Sequence, residues 1–164
     1  MKRLLTLLAA GLCAAASAQT PEATFQVRAL TPETALKAAQ AALADCRARG
    51  FQVAVAVVDR SGITQVLLRD RFAGPHTVGF ATDKAWTALS FRTSTLELAD
   101  LTQAAKPMSG LRAVPRLAAI GGGVLLEGAG SIYGGIGVSG APSGEADELC
   151  AKAGIKAVAD ALAF

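Results

Sequence analysis

The sequence predicts an α+β domain in which one antiparallel sheet is flanked by helices. Three observations lead there. The 164 residues are 52% hydrophobic and 18% charged, which is one domain's length with enough apolar surface for a core and too little charge for a disordered chain. Apolar residues at helical spacing alternate with short β-branched runs. The turns between neighbouring strands are short, so the pairing is antiparallel, because parallel pairing needs a long crossover. The expected order is α-β-β-α-α-β-β-β-α, with five strands in a single sheet.

Each element has its own signal. Residues 19–30 read as an extended lead-in. Thr31 caps a helix with Pro32 in its first turn, Leu36, Ala39, Leu43 and Cys46 line its inner face, and Gly50 ends it. Phe51 to Val58 is apolar at both parities, which predicts a central strand covered on both faces. Asp59-Arg60-Ser61-Gly62 turns the chain into a return strand from Ile63 to Arg69. Residues 70–76 form a loop. A helix begins near Thr77, with Val78, Ala81, Ala85, Ala88 and Leu89 on one face, and a shorter one covers Ser94 to Ala105. After an irregular stretch from Pro107 to Pro115, strands are expected at Leu117–Ile120, Val124–Glu127 and Ser131–Val138. The last helix spans about Ser143 to Ala161, with Ala146, Leu149, Cys150, Ala153 and Ala157 inward.

The first eighteen residues stand apart. Lys2 and Arg3 precede an apolar run from Leu4 to Ala16, and Ala16-Ser17-Ala18 is a small-x-small cleavage site. This is the pattern of a secretory signal peptide cut after Ala18, so residues 1–18 are expected to be a leader and residues 19–164 the domain, in a periplasmic or extracellular location. Without Lys2 and Arg3, 14 basic residues face 13 acidic ones, a net charge of +1. The basic residues are scattered among acids, which excludes the clustered surface of a nucleic-acid binder and the polybasic patch of a membrane-surface binder. Beyond the leader, Cys46 and Cys150 are either a disulfide of an exported protein or two thiols packed on helix faces.

Few motifs carry chemistry. Gly135-Ile136-Gly137-Val138-Ser139-Gly140 matches G-x-G-x-x-G, but no strand follows the helix after it, so it is not a dinucleotide fingerprint. A glycine-rich turn into a helix N-terminus can hold an anion or carboxylate on its backbone N–H groups, but these glycines are better read as allowing tight turns and close packing of strand on helix. Two cysteines and one histidine do not make a structural zinc site, and no C-x-x-C-H is present for covalent haem. Glu145, Asp147 and Glu148 in the first turn of the last helix read as complements to its dipole. His76, in Ala73-Gly74-Pro75-His76-Thr77, is an imidazole at the mouth of a helix and is either an iron ligand or a loop or capping residue. Met108 offers a thioether, although a packing role suits it better. Trp86 and Tyr133 are candidate pocket-lining residues, with packing the default role of Trp86.

Three segments in order carry a resemblance. Phe51 to Gly62 resembles the hairpin motif of the GlcG/HbpS family of haem-binding proteins. Lys84-Ala85-Trp86-Thr87-Ala88, with Asp83, Phe91 and Thr95, resembles its middle-helix motif, and Ile132–Gly140 with Asp147–Ile155 resembles its C-terminal signature. The resemblance covers about residues 30–163. It implies a compact domain of the order above, homo-oligomers (octamers in some relatives), and binding of haem or a related tetrapyrrole. Exported relatives act in haem sensing beside a membrane sensor protein, and others accompany glycolate or cobalamin functions. One branch ligates haem through a histidine of the first helix. Residues 31–49 contain none here, which leaves His76 as the main axial candidate and the metal ligand.

The expected function is therefore that of an exported haem-binding protein, a scavenger, buffer or sensing accessory. His76 and Met108 are the candidate ligands. Arg69, Arg71 and Lys84 are near His76 in sequence and are candidate counter-ions for propionates, or simply solvated cations. The alternatives are an enzyme acting on haem or on a small hydroxy acid, for which no acid–base pair stands out, and a ligand-free oligomeric platform.

Overall fold

Thr31 begins the first helix as the sequence predicts: its hydroxyl accepts from the Thr34 N–H at 3.3 Å, and Pro32 follows inside the first turn. The computed structural model describes residues 22–163; the predicted leader lies outside them. Helix α1 covers Pro32–Ala48, strand β1 Ala54–Asp59, strand β2 Thr64–Arg69, helix α2 Thr77–Phe91 and helix α3 Thr95–Leu101. A 3-10 turn at Ser109–Ala113 leads to strand β3, Gly123–Gly128, strand β4, Ser131–Ser139, helix α4, Gly144–Lys156, and a last 3-10 turn at Ala159–Leu162. No helix among the described residues is long and apolar enough to cross a membrane.

Among the described residues the sheet has four strands, in the order β2-β1-β4-β3 and antiparallel throughout. The fifth strand expected at Leu117–Ile120 is not formed. Its backbone is satisfied elsewhere: the Ala118 N–H donates to the Thr87 hydroxyl at 3.0 Å, and the Leu117 and Ile120 N–H groups close local turns onto Val114 and Ala118. Arg116, at φ +69°, breaks any extended run at that point. The order is thus α-β-β-α-α-β-β-α.

The double-sided reading of β1 holds, and the register explains it. Val55 pairs with Val138 and Val57 with Ile136. These four face the larger core, closed by Ala35, Ala38, Ala39 and Ala42 of α1 and Ala151 of α4. Ala56 pairs with Gly137 and Val58 with Gly135, and this opposite face carries α2. A Cβ on Gly137 would run into the Ala81 carbonyl, and one on Gly135 into that of Ala85. The glycine-rich strand therefore seats a helix, as close packing requires.

Two inward predictions fail for one reason. Leu36 is 39% exposed and Leu149 50% exposed. The facing sides of α1 and α4 are instead alanine and glycine, and Gly154 lies so near the Ala38 carbonyl that a side chain there would collide. Helices this close leave the larger leucines outside. Cys46 and Cys150 join them as a disulfide, with Cα atoms 5.5 Å apart and the two residues 104 positions apart in the chain. This settles the alternative left open by the sequence.

Candidate functional site

A cleft of about 600 Å³ opens where the end of α1, the loop before α2 and the start of α4 meet. Its volume is that of a small-molecule or cofactor site. Gln52 and Phe51 come from the segment after α1, Phe72 and His76 from residues 70–76, Phe80 and Lys84 from α2, and Ser143 and Asp147 from the start of α4. Phe72 (79% exposed), Phe80 and Ile120 give it an apolar rim open to solvent. A second hollow of about 520 Å³ adjoins it across Phe80, Ile120 and Gly144.

The loop carrying Phe72 and His76 is held from both sides. Arg47 of α1 grips Asp70 with two parallel bonds, Nε to Oδ2 at 2.7 Å and Nη2 to Oδ1 at 2.9 Å. The guanidinium bond holds the Asp70 carboxyl below the ordinary carboxylate range, against the opposing effect of burial. Arg69 donates from Nε and Nη2 to the Ala73 carbonyl at 3.0 and 2.6 Å. The Thr77 hydroxyl donates to the Gly74 carbonyl at 2.7 Å.

His76 occupies the N-cap position of α2, yet its side chain makes no capping bond. The ring packs over Gly74, where a Cβ would come within 2.8 Å of His76 Cε1, and meets Phe80 edge-on at 6.1 Å between centroids. Its exposed ring has no hydrogen-bond partner among the described residues. The capping alternative is therefore set aside: the imidazole is braced by its neighbours and turned to the cleft.

Lys84 is placed differently from a solvated cation. It is 2% exposed, and its Nζ donates to the Val138 carbonyl at 3.0 Å and to Asp147 Oδ2 at 2.7 Å. Asp147 Oδ1 accepts from the Ala141 N–H at 2.9 Å. Asp147 is thus a buried partner of Lys84 and not simply a complement to the helix dipole. Burial pushes its carboxyl up, while Lys84 and the Ala141 N–H pull it back. The dipole reading suits Glu145, whose carboxyl is held below its ordinary value by the Ser143 side chain and its own backbone N–H.

Of the five residues picked from sequence, the fold brings His76 and Lys84 to the cleft. Arg69 braces the loop from behind, Arg71 is exposed outside the lining, and Met108 lies 38% exposed beside the 3-10 turn at Ser109–Ala113. Among the described residues no three His, Cys, Asp or Glu side chains gather as a metal cage, so a metal here would need a ligand frame of its own. Sequence reasoning missed Gln52, Phe72, Phe80 and Ile120. Gln52 Oε1 is buried with no hydrogen-bond partner among the described residues.

Residues 30–156 match the family model of the haem-degrading HbpS-like proteins. The chain belongs to the HbpS-like family. A solved structure of a double mutant of Streptomyces reticuli HbpS is 38% identical, with a TM-score of 0.75 over 94% of this chain and 97% of that one. The structure of a PduOC–haem complex is 32% identical, with a TM-score of 0.74 over 79% of this chain and 95% of that one. The corrinoid adenosyltransferase PduO of Salmonella typhimurium is 35% identical over 116 residues, 68% of this chain. The match spans only 34% of PduO. The matched residues include both Lys84 and Asp147, which are bonded to one another.

Proposed function

We propose that this HbpS-like protein is an exported haem-binding protein whose cleft takes the porphyrin, with His76 as the residue that would hold its iron. One observation carries the reading. The chain's only histidine stands on the wall of the cleft, braced by Gly74 and Phe80 and without a partner among the described residues. The remaining lining fits the group. Phe72, Phe80 and Ile120 offer apolar faces to a porphyrin. Gln52, whose buried Oε1 has no partner among the described residues, carries an amide NH2 that can donate to a propionate. The start of α4 opens on the cleft at Ser143 and Gly144, where a helix N-terminus favours a propionate.

Haem, when bound, supplies a redox-active iron; the chain's residues hold and orient it. His76 offers a nitrogen lone pair, and the bonds from Arg47, Arg69 and Thr77 keep its loop in place, so little freedom is lost on binding. Lys84 is already committed to Asp147, so its role is to fix the floor and not to meet a propionate.

Two features support export. The leader pattern precedes the domain, and the Cys46–Cys150 disulfide belongs to an oxidising compartment. Exposed Leu36, Leu149 and Phe25 are surfaces that a homo-oligomer would cover. A haemin titration followed through the Soret band tests the binding, and mass spectrometry of the secreted protein tests the cut before Gln19. No Soret change, or full-length chain retained in the cytosol, would overturn the corresponding half.

A further inference from the structure

We propose a second ligand site, separate from the cleft: a basic pocket toward the C-terminal end of α2 that takes a small oxyanion, a carboxylate or a phosphate. A hollow of about 250 Å³ lies between the β1–β2 turn and the last turn of α2, lined by Arg60, Ser61, Trp86, Ser90 and Arg92 among others. Among the described residues no carboxylate lines it. Arg60 spends one bond, from Nη1 to the Ile132 carbonyl at 3.2 Å, which steadies its guanidinium and leaves other donors unused. Arg92 is exposed, and its side chain has no hydrogen bond or ion pair among the described residues.

The backbone does not explain an arginine at position 92. It caps the C-terminus of α2 at φ 54°, in the left-handed region, and its N–H bonds the Ala88 carbonyl. Glycine serves that position without strain. What an arginine adds is its guanidinium beside the pocket. The Trp86 indole makes the wall, pressed against Gly62, where a Cβ would lie 3.0 Å from Trp86 Cδ1. Arg116 covers the Trp86 ring at 4.8 Å, and its charge is matched by Asp83 at 3.2 Å. The unmatched donors are therefore Arg60 and Arg92, with the Ser61 and Ser90 hydroxyls beside them. A ligand that only accepts hydrogen bonds and carries negative charge meets this set, and guanidinium forks suit planar carboxylates and phosphates. The pocket and the cleft share no lining residue. The site is thus independent of the haem reading.

The chain's single tryptophan is Trp86, so its emission reports this pocket. The full haem-free protein would be titrated with inorganic phosphate and, separately, with oxalate, against sodium chloride at matched ionic strength. The expected result is a saturable change with phosphate or oxalate that chloride does not give. The anion that saturates first identifies the source chemistry. Arg92→Gln should weaken it roughly tenfold, the size expected for a charge-assisted bond, and Arg60→Gln should weaken it as well with the circular dichroism unchanged. An equal response to chloride, no saturable response to either anion, or the same titration in both variants as in the parent would overturn the proposal.

Discussion

Lys84 Nζ lies 2.7 Å from Asp147 Oδ2, and the two side chains are 2% and 5% exposed. This contact joins α2 to α4 past the end of β4 and makes the floor of the cleft. Two charges out of water are expensive, and breaking such a pair strands one of them. Lys84→Met should therefore cost about 3–5 kcal/mol of stability, while Lys84→Met with Asp147→Leu should recover much of it. Urea unfolding of the two variants measures both. The single variant should also recover stability as the pH falls. Its buried carboxyl, already pushed up by burial and now without Lys84, takes up a proton in the folded state more readily than in the unfolded chain.

Asp70 predicts the opposite slope. Its carboxyl is held below the ordinary range by Arg47, so its contribution is complete above the unfolded value of about 3.9 and is lost as the pH falls through the lower folded value. Arg47→Gln should move the acid-unfolding midpoint to higher pH. It should also loosen the loop that carries Phe72 and His76 and weaken haemin binding at neutral pH.

The disulfide closes a loop of 104 residues. Replacing Cys46 and Cys150 together by Ala should lower the unfolding free energy by about 2–5 kcal/mol. Denaturant curves with and without a dithiol reductant check it: the parent should respond to the reductant and the variant should not.

Gly137→Ala tests the seating of α2 on β4. The added Cβ meets the Ala81 carbonyl, a backbone atom that cannot swing aside. A loss of about 1–3 kcal/mol is expected, as for overpacking, read as a lower melting temperature. Gly130→Ala meets no neighbouring atom and bears only the strain of its positive φ. It should cost less.

Much of the fold was legible because its signals are local. Thr31-Pro32 marks a helix start whatever lies around it, and a strand apolar at both parities must be covered twice. Leu117–Ile120 looked like a strand because its residues suit one; its fate was set by Thr87, which takes the Ala118 N–H from a distant helix. The inner faces of α1 and α4 were misplaced at Leu36 and Leu149 because hydrophobicity does not report how close two alanine-rich helices come. At the site, His76 was legible as a lone imidazole beside Gly-Pro. Lys84 and Asp147 are 63 residues apart, and nothing local marks either as the other's partner. Phe72 and Phe80 carried no signal, since an aromatic in a loop or on a helix's outer face has meaning only once a cleft forms beside it.

The account rests on His76, and haemin titration of the parent and His76→Ala, followed through the Soret band, tests it most directly. The parent should bind with a shifted Soret band, His76→Ala should bind roughly tenfold more weakly or worse with a different Soret position, as when a strong polar contact is lost, and Met108→Ala should match the parent. A His76→Ala protein with the parent's affinity and spectrum would contradict it.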